Sequence, residues 1–217
     1  MAHTQTKPAA ADEYDSQYRT WLEQHGTRAQ DLDYRLTHLD WRQRVLLRRY
    51  PPEGKRVLDF GCMDGVFTLR LQQLGAEAVG YDISPAAIAQ AKQFRGTAAK
   101  PVYTTVPPGP GQFDLIYCSE ALENVGDDWA LVGELVGYLA RNGSVVGITP
   151  VGEEESDPQH RGIYDQAQLK RALSPYGRVH VFRHARRPVR DRLPFRKTKS
   201  GQIFLFQVTP PNPPDAR

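Results

Sequence analysis

Apolar side chains recur at helical spacing over residues 14–50. Tyr18, Trp21 and Leu22 form an i, i+3, i+4 set, and Leu32, Leu36 and Leu39 follow at similar steps. Pro51 and Pro52 end this run, because the residue before a proline is pushed out of the helical region. Beyond them short apolar runs alternate with helical patterns. Residues 56–60 (RVLDF) read as a buried strand, and 66–74 (VFTLRLQQL) as a helix stopped by Gly75. A second strand is predicted over 76–82, then a helix opened by an N-cap serine and an N1 proline, Ser84–Pro85. Residues 101–106 predict a weaker strand, 113–119 (FDLIYCS) a fourth strand and 128–140 a helix. Asn142–Gly143 is expected to turn the chain into a fifth strand, SVVGITP, and Asp165 to cap a helix through Leu173. Residues 178–183 and 202–208 have no helical pattern between them, which predicts an antiparallel hairpin closing the sheet. Strand–helix alternation of this kind predicts an α/β fold with a mainly parallel sheet and helices on both faces.

The ends differ in kind from the middle. Residues 1–12 are small and polar, and TPPNPPDAR after Val208 is proline-rich, so both are expected to be disordered. This gives a helical segment over 13–50, packed on the main domain or serving as a lid, a main domain over 51–208, and a tail over 209–217. A length of 217 residues suits one such domain.

Composition removes several function classes. Two cysteines without C-x-x-C spacing make no disulfide framework. No apolar run reaches a membrane span, and the first residues lack the apolar core of a secretory signal, so a cytoplasmic location is expected. The six histidines form no H-E-x-x-H pair, so no built-in metal site is expected, and no G-x-S-x-G elbow is present. The net charge of +3 hides an uneven distribution: residues 183–199 carry eight Lys/Arg and one Asp, leaving 20 basic against 24 acidic residues elsewhere. Such a segment could bind phosphate or RNA, steer an anionic substrate, or guard a sheet edge with charge.

The candidate chemistry lies where the first strand meets its turn, VLDFGCMDGVF. Ligands of open α/β sheets sit beyond the carboxyl ends of the strands. This turn is not a dinucleotide fingerprint, because Met63 stands between Gly61 and Gly65. Asp59 and Asp64 also make a poor setting for a pyrophosphate. Buried carboxylates need a partner that repays their desolvation, and an ammonium or sulfonium suits them better. Asp82 ends the second strand, where an acid can accept from both ribose hydroxyls of a nucleoside, and Ile83 offers an apolar face to an adenine ring.

VLDFGCMDG, GYDIS, FDLIYCSEALENV and LVGELVGYLARNGSVVGITP together resemble the class I S-adenosylmethionine-dependent methyltransferases over about residues 50–175. Within them the chain is similar to the small-molecule enzymes of quinone biosynthesis and natural-product pathways. The resemblance implies a Rossmann-like seven-stranded sheet with the last strand antiparallel. It implies S-adenosylmethionine as cofactor, S-adenosylhomocysteine as product, and a small-molecule acceptor methylated on oxygen or nitrogen. Carried over, it assigns Asp59 and the backbone of Gly61, Cys62 and Gly65, with Met63 in the same turn, to the methionine end. It assigns Asp82 to the ribose, Ile83 to the adenine, and Ser119 and Glu120 to the border of cofactor and acceptor. Three departures stand out: Met63 replaces the middle glycine, no acid follows the third strand, and Asn124 stands where the quinone branch has histidine.

Methyl transfer from a sulfonium needs alignment above all, and a base only where the acceptor must lose a proton. The segment EEESDPQHRGIYD after the fifth strand supplies the candidates: His160 as base, with Arg161 and Tyr164 toward the acceptor. Glu123 is a weaker alternative for the base. The N-P-P-aromatic and Pro-Cys turns of DNA methyltransferases are missing after the fourth strand, which disfavours a DNA substrate. An RNA or protein methyltransferase and a catalytically silent cofactor-binding module remain the alternatives at this point.

Overall fold

The computed structural model describes residues 8–119, 128–150, 165–185 and 202–211. Helix α1 runs Pro8–His25. It begins earlier than expected, so residues 8–12 are helical rather than disordered. Proline suits the first helical turn, and Ala9–Ala11 have the strongest helix propensity. The long helical pattern then breaks into α2 (Thr27–Gln30), α3 (Leu32–Thr37) and α4 (Trp41–Arg49). Asp31 and Asp40 cause the last two breaks. Each caps the following helix, accepting from the amides of Tyr34 at 2.9 Å and Arg42 at 2.7 Å.

Strands β1 (Arg56–Phe60), β2 (Glu77–Tyr81), β3 (Val102–Thr104), β4 (Phe113–Ser119), β5 (Leu139–Pro150), β6 (Arg178–Ala185) and β7 (Gln202–Thr209) form one sheet. Its order is β3-β2-β1-β4-β5-β7-β6. All neighbours are parallel except β7, which runs antiparallel to both β5 and β6. The hairpin expected to close the sheet therefore folds inward, with β7 seated between β5 and β6 and β6 at the edge. Helices α5 (Val66–Gln73), α6 (Pro85–Arg95), α7 (Asp128–Gly137) and α8 (Gln166–Leu173) complete the alternation. The chain direction of strand order reverses between β1 and β4, the switch point where open sheets bind ligands.

Strand β5 begins three residues before the expected Asn-Gly turn. Leu139 pairs with Phe113 and Ser144 with Leu115, so residues 140–143 bulge between them. Asn142 keeps the left-handed conformation expected of it, with φ 65°, inside that bulge rather than ahead of the strand.

Both faces of the sheet are covered, so its strands read as near-continuous apolar runs. Leu58, Ile116 and Val145 pack with Leu131, Leu135, Leu169 and Leu173 of α7 and α8. Their sequence neighbours Val57, Tyr117 and Val146 face the other way, onto Phe67 and Leu71 of α5 and Leu46 of α4. Leu46 has no exposed surface. Helix α4 is thus part of the main core, and a boundary at residue 51 does not separate two packing units. Among the described residues no helix is long and apolar enough to cross a membrane. Residues 1–7 and 212–217 lie outside the described residues.

Candidate functional site

At the carboxyl end of β1 the chain turns through three left-handed residues, Gly61 (φ 74°), Met63 (φ 51°) and Gly65 (φ 76°). The Gly65 amide donates to the Cys62 carbonyl at 2.9 Å, closing a four-residue turn that leads into α5. Met63 occupies the position expected to be glycine and keeps the glycine conformation, which an L-residue adopts at a cost. Gly65 is needed for room as well as for φ: a Cβ there would lie 2.4 Å from the Tyr103 ring, whose hydroxyl donates to the Gly65 carbonyl at 2.9 Å.

The resemblance gave the backbone of Gly61, Cys62 and Gly65 to a ligand, and in the structure the amides of that backbone are engaged internally. Gly61 and Cys62 both donate to the Tyr81 carbonyl at 2.9 Å, and Gly65 donates within the turn. These bonds lock the turn to the end of β2. The Cys62 side chain is buried beneath it, and burial together with Asp59 and Asp82 pushes its thiol well above the ordinary range.

Asp59 is buried and accepts from the Thr68 hydroxyl at 2.6 Å. Burial is the main cause that pushes its carboxyl up to about 7; the Thr68 bond opposes this and the charge of Asp82 adds to it. Its place is under the turn rather than on open surface. Asp82, by contrast, is only partly buried just past β2. The Met63 amide donates to one of its oxygens at 2.8 Å and the Ser84 amide to the other at 2.9 Å. Burial raises its carboxyl, against these two bonds. A carboxylate oxygen has two acceptor positions, so each oxygen can still receive a hydroxyl. Ile83 and Ser119, at the ends of β2 and β4, are half-buried on the same edge of the sheet.

Three contributors from the N-terminal helices had no sequence signal. Arg35 of α3 makes an ion pair with Asp64, and the Tyr18 hydroxyl of α1 lies 3.5 Å from the same carboxylate. Asp15 of α1 accepts from the Ser84 hydroxyl and, at 3.1 Å, from the Ala86 amide at the start of α6. Tyr18 was legible only as an apolar member of a helical set. At the end of β3, where no acid follows, the Thr104 hydroxyl accepts from the Val106 amide at 2.9 Å.

Glu120, Glu123, His160, Arg161 and Tyr164 lie outside the described residues, as does the basic segment from 186 to 199. A groove of about 400 Å³ lined by Leu39, Leu47, Pro51, Arg70 and Leu74 lies by the amino end of β1, the wrong end of the sheet for this chemistry. Among the described residues no cluster of His, Cys, Asp and Glu could hold a metal ion.

A family model described as a methyltransferase domain matches residues 28–187. Trans-aconitate 2-methyltransferase of Delftia acidovorans is 32% identical over 153 residues, 67% of this chain and 56% of that protein. Magnesium-protoporphyrin O-methyltransferase of Rhodobacter capsulatus is 37% identical over 90 residues, 38% of this chain and 40% of that protein. The chain thus matches only about half the length of these relatives. Among solved structures, magnesium protoporphyrin IX methyltransferase from Synechocystis with bound S-adenosylhomocysteine superposes with a TM-score of 0.65. That alignment covers 93% of this chain and 99% of the other at 16% identity, a likeness of fold.

Proposed function

The chain belongs to the methyltransferase-domain family, and on that premise we propose that it is an S-adenosylmethionine-dependent methyltransferase acting on an oxygen or nitrogen of a small molecule. The observation that carries this reading is Asp82. It stands partly exposed beyond the carboxyl end of β2, with both oxygens oriented by backbone amides and acceptor capacity to spare. Those are the requirements for receiving the two hydroxyls of a ribose.

The residues present fit the cofactor. Asp59, Asp64, Asp82 and Asp15 gather around one turn, and Arg35 is the cation paired there among the described residues. A net acidic setting favours a ligand bearing ammonium and sulfonium charges. When bound, that ligand supplies a methyl group on a positively charged sulfur. Asp82 holds the ribose and Ile83 lies along the adenine. The turn over 61–65 borders the methionine end through its carbonyls and shape, since its amides at Gly61, Cys62 and Gly65 are engaged. Asp59 lies beneath the turn, where a bound cation would favour its ionised form. Ser119 and Glu120 flank the acceptor side.

The chain's share of the chemistry is alignment of nucleophile and methyl. Where the acceptor must lose a proton, His160 is the assigned base, with Glu123 second, and Arg161 and Tyr164 orient the acceptor. The names of the two relatives above, a trans-aconitate and a magnesium-protoporphyrin methyltransferase, support that acceptor class. Incubation with methyl-labelled cofactor and a panel of quinols, porphyrins and polycarboxylates tests it. Label in the small-molecule fraction is expected; label only in added RNA or protein would overturn the acceptor class.

A further inference from the structure

We infer, building on the cofactor reading above, that Arg35 is a positioning residue for the ribose-binding acid, acting through Asp64 on the left-handed backbone at Met63. Residue 63 is the first central position of a turn closed from Gly65 to Cys62, and its φ is 51°. Turns with positive φ at that position favour glycine. An L-residue there shifts the local equilibrium against the turn by about tenfold. Yet the Met63 amide is one of the two donors that orient Asp82. A relaxed turn would carry that donor away.

Strained backbone persists where its surroundings over-determine it. Met63 is anchored by its own amide on Asp82 and, through the next peptide, by Asp64. Asp64 is buried, and its carboxylate is bound by the Arg35 guanidinium and approached by the Tyr18 hydroxyl. Arg35 is itself immobilised. It donates to the Ala29 carbonyl at 3.2 Å, and its guanidinium carbon sits 4.9 Å from the Trp21 ring centre and 5.9 Å from that of Phe94. Helices α1, α2, α3 and α6 therefore converge on one cation, and that cation holds the residue beside the strained one. The N-terminal helices enable a methionine to serve where glycine would need no clamp.

The test is a double-mutant cycle between Met63→Gly and the neutralised pair Arg35→Met with Asp64→Asn, which leaves no buried charge unpaired. S-adenosylhomocysteine affinity is read by calorimetry at a temperature where every variant is folded. The neutralised pair is expected to weaken binding about tenfold in the Met63 protein and less than about twofold in the Met63→Gly background. Equal losses in both backgrounds would overturn the inference. Melting temperatures without ligand give an independent reading: neutralising the pair should lower the melting temperature more when Met63 is present. Equal lowering would overturn the coupling even if the wild type binds no S-adenosylhomocysteine, a result that by itself would count against the cofactor reading alone.

Discussion

The Met63 amide and the Asp82 carboxylate are joined by a 2.8 Å hydrogen bond that ties the turn after β1 to the end of β2. Asp82 is therefore both a structural acceptor and the proposed ribose ligand, and substitution must separate the two roles. Asp82→Asn keeps one oxygen acceptor; Asp82→Ala removes both. S-adenosylhomocysteine is expected to raise the melting temperature of the wild type, and Asp82→Ala to abolish that rise. A ligand-induced rise of wild-type size in the alanine variant would remove Asp82 from the site.

Asp59 makes stability depend on pH in an unusual direction. Its folded carboxyl is pushed up to about 7 from an ordinary 3.8, chiefly by burial. The fold binds this proton more tightly than the unfolded chain does. Its contribution is full below about pH 4 and is lost as pH rises to about 7. Asp59→Asn imitates the protonated form and keeps an acceptor for Thr68. Melting curves of wild type and variant should nearly coincide at pH 4 and diverge by pH 8, with the variant higher. Parallel profiles over that range would show that the carboxylate is already ionised in the fold.

Two glycines with similar φ separate crowding from backbone strain. Gly65→Ala would press a methyl into the Tyr103 ring, whereas Gly54, with φ 70° in the turn closed from Lys55 to Pro52, faces open space. Denaturant titration should give a loss of about 2–4 kcal/mol for Gly65→Ala and about 1 kcal/mol for Gly54→Ala. Losses of equal size would mean that Tyr103 yields without cost.

For His160→Ala the expectation is a fall in turnover of about 10²-fold or more, with S-adenosylhomocysteine affinity retained. Once an acceptor is identified, steady-state rates and calorimetry on the same protein check it. Unchanged turnover removes the assignment of a base.

The strand–turn–helix–strand frame was legible because its signals are local. A buried apolar strand, glycines at turn positions and a Ser-Pro helix start each act within a few residues, and they set Asp59, the turn and Asp82 in order. The placement of β7 was not legible. Residues 178–183 and 202–208 read as a hairpin in either order, and the choice of inner strand depends on which apolar set packs better across β5. Ile203, Leu205 and Val208 are almost fully buried, which an inner strand allows. Arg35 and Asp64 are 29 residues apart, and nothing in the sequence near either one announces the other. The same holds for Asp15 and Ser84. The internal bonding of the turn's amides was not legible for a related reason, since the claim of the Tyr81 carbonyl on Gly61 and Cys62 arises only when β2 lies beside β1.

The insertion of β7 between β5 and β6 has a consequence for biosynthesis. Strand β5 cannot find its outer neighbour, nor β6 any neighbour in the sheet, until residue 209 has emerged. Throughout translation of the preceding segment a growing chain exposes an apolar strand edge without its partner. Such an edge invites pairing with other nascent chains. Completion of the sheet is thus a late, long-range event, and chaperone dependence during synthesis should end abruptly once β7 slots into place.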